Sequence, residues 1–263
     1  MSAKKPSKPL SFSLGIICYK CQKYCKLAKI TYSIAMNTMV TIQELQRTGM
    51  NPMAVSRSVK KQKLGNYGYG FYQTHPNVLT FDEDTVMAQI HTLLKSFPLP
   101  PKNVVFCSSS LNFCINQQIS SPTYLVEVEK EYLFSVFESL KSIFPNRVVL
   151  FKPNQEDKLN YWRPGAIYVI ELFKRSPLDP NGRMSIEKLV VDLLCDEDLY
   201  SLYSGIDIEY ALDTLCSRYV INYRTLFAYA SRKGKRGLVL ERIRRYIPSE
   251  ILEIVEDDRK KEF

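Results

Sequence analysis

Ser56, Arg57, Lys60 and Lys61 are the side chains with the clearest chemistry in this sequence. Helical spacing sets them apart from Ala54, Val55, Ser58 and Val59, which form an inward stripe at i, i+1, i+4 and i+5. Hydroxyl, guanidinium and ammonium donors on one helix face reach phosphate oxygens and base edges. A second grouping, Glu127-Val128-Glu129-Lys130, brings two acids and a lysine to the end of an apolar run, and paired carboxylates are how nucleases hold metal ions. The register is against it: Lys130 follows Glu129 directly and lies three residues after Glu127, so it shares a strand face with neither. The segment then reads as the acid-rich start of a helix.

Two further strings resolve in the same way. Cys18, Cys21 and Cys25 are spaced as half of a tetrahedral zinc site, but no fourth sulfur or nitrogen ligand lies nearby. His75 and His91 are the only histidines and belong to no paired spacing. Ser185-Ile186-Glu187-Lys188 matches the S-x-x-K of serine acylases without any K-T-G companion, and is read as a helix start with Ser185 as cap. No Walker loop, dinucleotide fingerprint or H-E-x-x-H string occurs. The expectation is therefore a protein without catalytic residues, metal or cofactor.

The basic helix must be held by its neighbours. Thr41-Ile42-Gln43-Glu44 is a capping box that opens a short helix through Arg47. Gly49 permits a tight turn, Asn51 caps the next helix and Pro52 suits its first position. Two helix starts about a glycine turn make a helix-turn-helix. The run from Leu64 to Tyr72 alternates Gly65, Asn66, Gly68 and Gly70 with Tyr67, Tyr69, Phe71 and Tyr72, which predicts a hairpin in the place of a wing. Beyond it, a helix is predicted from Phe81 through Lys95, closed by Pro98, Pro100 and Pro101. Strands are predicted at 104–107, 124–128, 148–151 and 166–170, with helices at 111–118 and 131–144 between them. Helical spacing then dominates at 186–194, 208–218, 223–232 and 238–246, and the charged tail from Glu250 is expected to fray. The fold class expected is α+β: an N-terminal winged helix-turn-helix followed by a mixed α/β domain with a helical C-terminal part. The boundaries are a basic, Cys-containing extension at 1–35, the winged module at 36–75 and the α/β domain at 76–263.

Charge supports this division. Residues 1–75 carry 12 Lys/Arg against Glu44 alone, whereas residues 76–263 carry 24 against 26 acids, so the net +9 comes from the front. Such a front points to a polyanion. A second basic cluster, Arg218, Arg224, Arg232, Lys233, Lys235, Arg236, Arg242, Arg244 and Arg245 against Glu241, is expected to line one continuous surface for nucleic acid or an acidic protein. No run approaches the ~20 apolar residues of a membrane span. The start, with Lys4, Lys5 and Lys8 before Leu10 to Tyr19, imitates a signal peptide but lacks a small-residue cleavage site, and Met36 and Met39 are alternative initiators. Seven cysteines in no framework spacing favour a reducing cytoplasm.

Three segments together resemble the AbiEi family of bacterial antitoxins: Leu45 to Tyr72, the helix Ile186-Glu187-Lys188-Leu189-Val190-Val191-Asp192-Leu193, and the run Tyr219-x-x-Asn222-x-x-x-Leu226-x-x-Tyr229-Ala230-x-Arg232-Lys233. The resemblance covers about residues 40 to 245, and departs in the Cys-rich extension and in a wing without a basic residue near Tyr67. It implies a winged-helix regulator that binds inverted repeats in its own promoter and counteracts a nucleotidyltransferase-like toxin encoded beside it. It further implies that Arg57, Lys60 and Lys61 contact double-stranded DNA from the recognition helix, with Asn51, Ser56, Tyr67 and Tyr69 around them. The basic helices from Arg218 would serve the antitoxin domain, and no membrane or small-molecule substrate is implied. The other classes open to the sequence are a metal-dependent nuclease using Glu127 and Glu129, with the winged helix as targeting module, and an adaptor whose basic helices grip an acidic protein.

Overall fold

The capping box forms as the sequence requires. In the computed structural model, which describes residues 39–161, 163–179, 182–196 and 202–261, Thr41 Oγ1 accepts from Glu44 N at 3.3 Å, and the Glu44 carboxylate accepts from Thr41 N at 2.7 Å. Strand β1 (Met39–Thr41) runs directly into helix α1 (Ile42–Arg47). Gly49 takes a left-handed φ of +92°, and Asn51 Oδ1 accepts from Ala54 N at 2.8 Å to start α2 (Pro52–Lys60). Strands β2 (Leu64–Gly68) and β3 (Phe71–Thr74) form the hairpin, and β3 lies between β1 and β2 in an antiparallel sheet. Leu45, Val55 and Leu64 are the buried centre of this head, packed by Val40, Ile42, Met50, Val59 and Tyr72.

The body is built on a four-stranded sheet in the order β4-β5-β7-β6, from β4 (Asn103–Cys107), β5 (Tyr124–Val128), β6 (Val149–Phe151) and β7 (Ile167–Glu171). The β4–β5 pair is antiparallel, and β5–β7 and β7–β6 are parallel. Strand alternation sorts its side chains: Val105, Cys107, Val126 and Val128 face one core, and Val104, Phe106 and Leu125 the other. The first core is closed by α3 (Thr85–Ser96) and α4 (Leu133–Ile143) through Ile90, Leu94, Val136 and Leu140. Helix α5 (Gln155–Tyr161) follows β6. The second core is covered by α6 (Ile186–Cys195), α7 (Gly205–Arg218), α8 (Tyr223–Arg232), α9 (Arg236–Ile243) and α10 (Ser249–Lys261). The fold is thus mixed α and β with two sheets. None of the described helices is long and apolar enough to cross a membrane.

Two expectations fail. Residues 111–118 are not a helix: a 3-10 turn at Ser108–Leu111 is followed by irregular chain. The Asp207 carboxylate from α7 accepts from Asn116 N and Gln117 N at 2.9 and 3.0 Å, taking amides that a helix would have turned to its own carbonyls. The tail does not fray at Glu250, because α10 buries Ile251 and Val255 completely in the second core. The extension with Cys18, Cys21 and Cys25 lies outside the described residues.

The head is seated on the body through its hairpin. Tyr67 stacks on Tyr223 of α8 with centroids 6.4 Å apart and planes 11° from parallel. Gly68 has a φ of +85°, and a Cβ there would stand 2.9 Å from Arg224 N and from Asn222 Oδ1. Gly68→Ala combines a forbidden backbone conformation with a clash against main chain, so we expect a loss of about 2 kcal/mol of stability, read as a lower urea midpoint. A wild-type midpoint in this variant would show that the seating is loose.

Candidate functional site

The exposed face of α2 carries Ser56, Arg57 and Lys60, with Lys61 and Lys63 directly after its end. All are solvent-exposed, and none of the four cations has an ion pair or side-chain hydrogen bond among the described residues. Val55 is buried beneath them, as the inward stripe predicted. The Asn51 side-chain oxygen is occupied by the cap, and the residue is exposed. Tyr67 and Tyr69, expected on a DNA-facing wing, pack instead against the second core of the body. The Tyr67 hydroxyl donates to Gln73 Oε1 at 2.5 Å, and burial raises its pKa.

The second basic cluster does not form one open surface. Arg242 and Arg245 both engage Glu209, the latter at 3.4 Å, and Arg244 engages Glu256 at 2.6 Å. Arg232 donates to the Arg175 carbonyl at 2.8 Å, and Arg236 donates to that of Val255 at 3.2 Å while lying over the Phe227 ring. Lys233 is drawn inward between Asp192 and Asp196, at 2.6 and 3.0 Å. Arg218, Arg224 and Lys235 stay exposed without an ion pair among the described residues. The physical reason is distance in sequence: Glu209 and Asp192 lie outside the basic stretch but come against it in the fold.

Lys233 ends a buried charge network that sequence reasoning missed. Glu127 points from β5 to the helical layer, where Lys188 Nζ meets its Oε1 at 2.9 Å. Lys188, 1% exposed, also pairs with Asp192 one turn along α6. Asp192 Oδ1 accepts from the Tyr229 hydroxyl at 2.9 Å as well as from Lys233. Glu127, Lys152, Asp196, Lys233 and Phe173 line a cavity of about 290 Å³ beside the network. Burial would lower the Lys188 pKa, but Glu127 and Asp192 outweigh it and hold it above its ordinary value. Burial pushes Glu127 up to about 7, opposed by Lys188 and aided by the neighbouring Asp192 and Asp196 carboxylates. Ser185 caps α6 by accepting from Lys188 N at 3.2 Å, as the S-x-x-K reading anticipated. The only available signal for the network was the lysine and aspartate spaced i, i+4 in an apolar helix.

Glu129 is held elsewhere, accepting from Lys102 N at 3.0 Å, so the two acids of the nuclease alternative do not converge. Among the described residues no group of three or more His, Cys, Asp or Glu side chains is placed to hold a metal ion. A family pattern matches residues 52–249, from the first residue of α2 to the first of α10. The chain belongs to the DUF6577 family. DUF6577 is described as a family of unknown function, and its match takes in both the basic helix and the buried network. No curated protein matches the chain.

The network gives a pH signature of known sign. Because the Glu127 pKa is raised in the folded DUF6577 chain, the fold binds a proton that the unfolded chain has released between about pH 4.5 and 7. Its stabilising effect is complete below that window and lost as pH rises through it. Glu127→Gln should therefore gain on the wild type in thermal midpoint from pH 5 to pH 8; a constant difference across that range would show Glu127 to be ionised throughout.

Proposed function

We propose that this chain is a DNA-binding antitoxin and transcriptional autorepressor, in which residues 39–74 act as a winged helix that seats α2 in the major groove of an operator with inverted repeats. The observation that carries the reading is the sorting of cations. Those in the back cluster are largely committed to acids, carbonyls or the protein interior, whereas Arg57, Lys60, Lys61 and Lys63 are exposed and uncommitted. Uncommitted cations on a short helix release counterions when they meet phosphates, which is the main source of DNA affinity, and Ser56 and Arg57 supply donors for base edges. The wing contacts drop out of the reading, because Tyr67, Gly68 and the turn residue Tyr69 serve the head-to-body seat. The antitoxin part, aimed at a nucleotidyltransferase-like toxin, rests on the AbiEi resemblance and adds a partner but no cofactor.

The test is binding of the full chain to its own promoter region over a range of salt. Each phosphate contact removed lowers the slope of log K against log salt by about 0.9, so replacing Arg57, Lys60 and Lys61 with Ala should reduce it by roughly 2 to 3. Arg242, Arg244 and Arg245 replaced together should leave the slope near the wild-type value. Unchanged retardation by the α2 variant would overturn the DNA reading. For the antitoxin part, co-expression of the full chain should restore growth to cells expressing a nucleotidyltransferase-like product of the adjacent gene; continued arrest would refute it.

A further inference from the structure

We infer that two copies of this chain associate about a two-fold axis through the open edge of β6 and the aromatic patch on α4 beside it. The inference is independent of what α2 binds. Strand β6 ends the body sheet, paired with β7 on one side and with no strand on the other among the described residues. Its three residues are half-buried or exposed, whereas all five of β5 are buried. Val148 O accepts from Ile167 N and Lys152 N donates to Val169 O, so the alternation of the ladder turns the N–H and C=O groups of Val149 and Phe151 to the open side. The strand contains no proline to blunt that edge.

Next to this edge three aromatic rings meet at the surface. Phe151 lies 5.3 Å from Phe137 and 6.3 Å from Phe134, both on α4. Phe134 is 67% exposed and Phe151 41% exposed. Clustered exposed phenylalanines mark an association surface more than a solvated one.

The charges around the patch select the occupant. On α4, Lys141 Nζ lies 3.4 Å from Glu138 and 5.1 Å from the Phe137 ring centre. Lys152, which follows Phe151, turns away from the rings and pairs with Glu171 at 3.2 Å beside the cavity that Glu127 and Lys233 line. The cation and the anion beside the rings cancel and give no net sign to steer a polyanion or a one-signed protein surface. They suit an isologous contact, in which each copy must offer acids and bases to an identical face. A two-fold axis at Leu150 places Val149 of one copy opposite Phe151 of the other, and those residues are the ones whose backbone groups face outward. Both pairs then exchange two hydrogen bonds, and the two sheets join into one. A strand of three residues binds weakly by itself, so the rings supply the affinity.

Sedimentation velocity on the full chain, across a wide concentration range, tests this. The wild type should reach twice the 30.5 kDa chain mass. Phe134→Ala, which only removes an exposed ring, should weaken self-association about thirtyfold, as loss of a central aromatic anchor does. Phe134→Glu should leave a single chain, with thermal melts showing both variants folded. A single-chain mass for the wild type at every concentration would overturn the inference, and capture by a different protein would then be the patch's use. A dimer that neither variant weakens would overturn it equally.

Discussion

Lys188 is buried between carboxylates from two elements, and the placement of α6, α8 and the head is tied to that constraint. A buried ammonium costs several kcal/mol of desolvation unless its partners are well placed, and replacing such an ion pair by apolar groups is often neutral or stabilising. The pairing is therefore better understood as a register device than as a source of stability. Glu127 fixes where α6 crosses β5, and Asp192 carries the constraint to α8 through Tyr229 and Lys233. Glu187, next to Lys188, accepts from Asn222 N at 2.9 Å and so sets the start of α8. That start receives the hairpin, through Tyr223 against Tyr67 and Asn222 beside Gly68. A chain of fixed contacts thus runs from the buried lysine to the head that carries α2.

The same network explains why a strongly basic sequence presents only part of its charge. Lys188 and Lys233 are neutralised inside, and Glu209 and Glu256 neutralise arginines outside, where exposed pairs contribute little stability but do cancel field. What is left over includes Arg57, Lys60, Lys61 and Lys63 around α2, where acids are absent from the sequence, and Arg218, Arg224 and Lys235 on the body.

Local physics made the head legible in the sequence. Capping boxes, an Asn-Pro start and a glycine turn act within four or five residues, so Thr41, Gly49, Asn51 and Pro52 foretold α1 and α2 to within a residue. Strand alternation and the spacing of α6 and α8 were legible for the same reason. The failures were all long-range. Nothing near residues 111–118 announces that Asp207, ninety residues on, will take two of their amides. Nothing in Glu127-Val128-Glu129-Lys130 announces that the lysine meeting Glu127 is Lys188. The second basic cluster was misjudged because its acids sit in α6, α7 and α10, and a count along the chain cannot see across helices. The hairpin tyrosines were read as free for want of knowing that α8 would offer Tyr223 as a stacking surface.

These long-range pairings bear directly on how the proposed DNA contact would work. Cations spread over the whole surface would hold a duplex in many orientations with similar affinity, and non-specific binding would compete with the intended site. Committing Arg242, Arg244 and Arg245 to Glu209 and Glu256 disfavours the orientations those arginines would support. Seating the hairpin on α8 also removes hinge freedom between head and body, so less orientational entropy is lost when α2 docks. On this reading the body contributes to recognition without touching DNA, by withdrawing several of its own cations from the surface field and by holding the α2 face still.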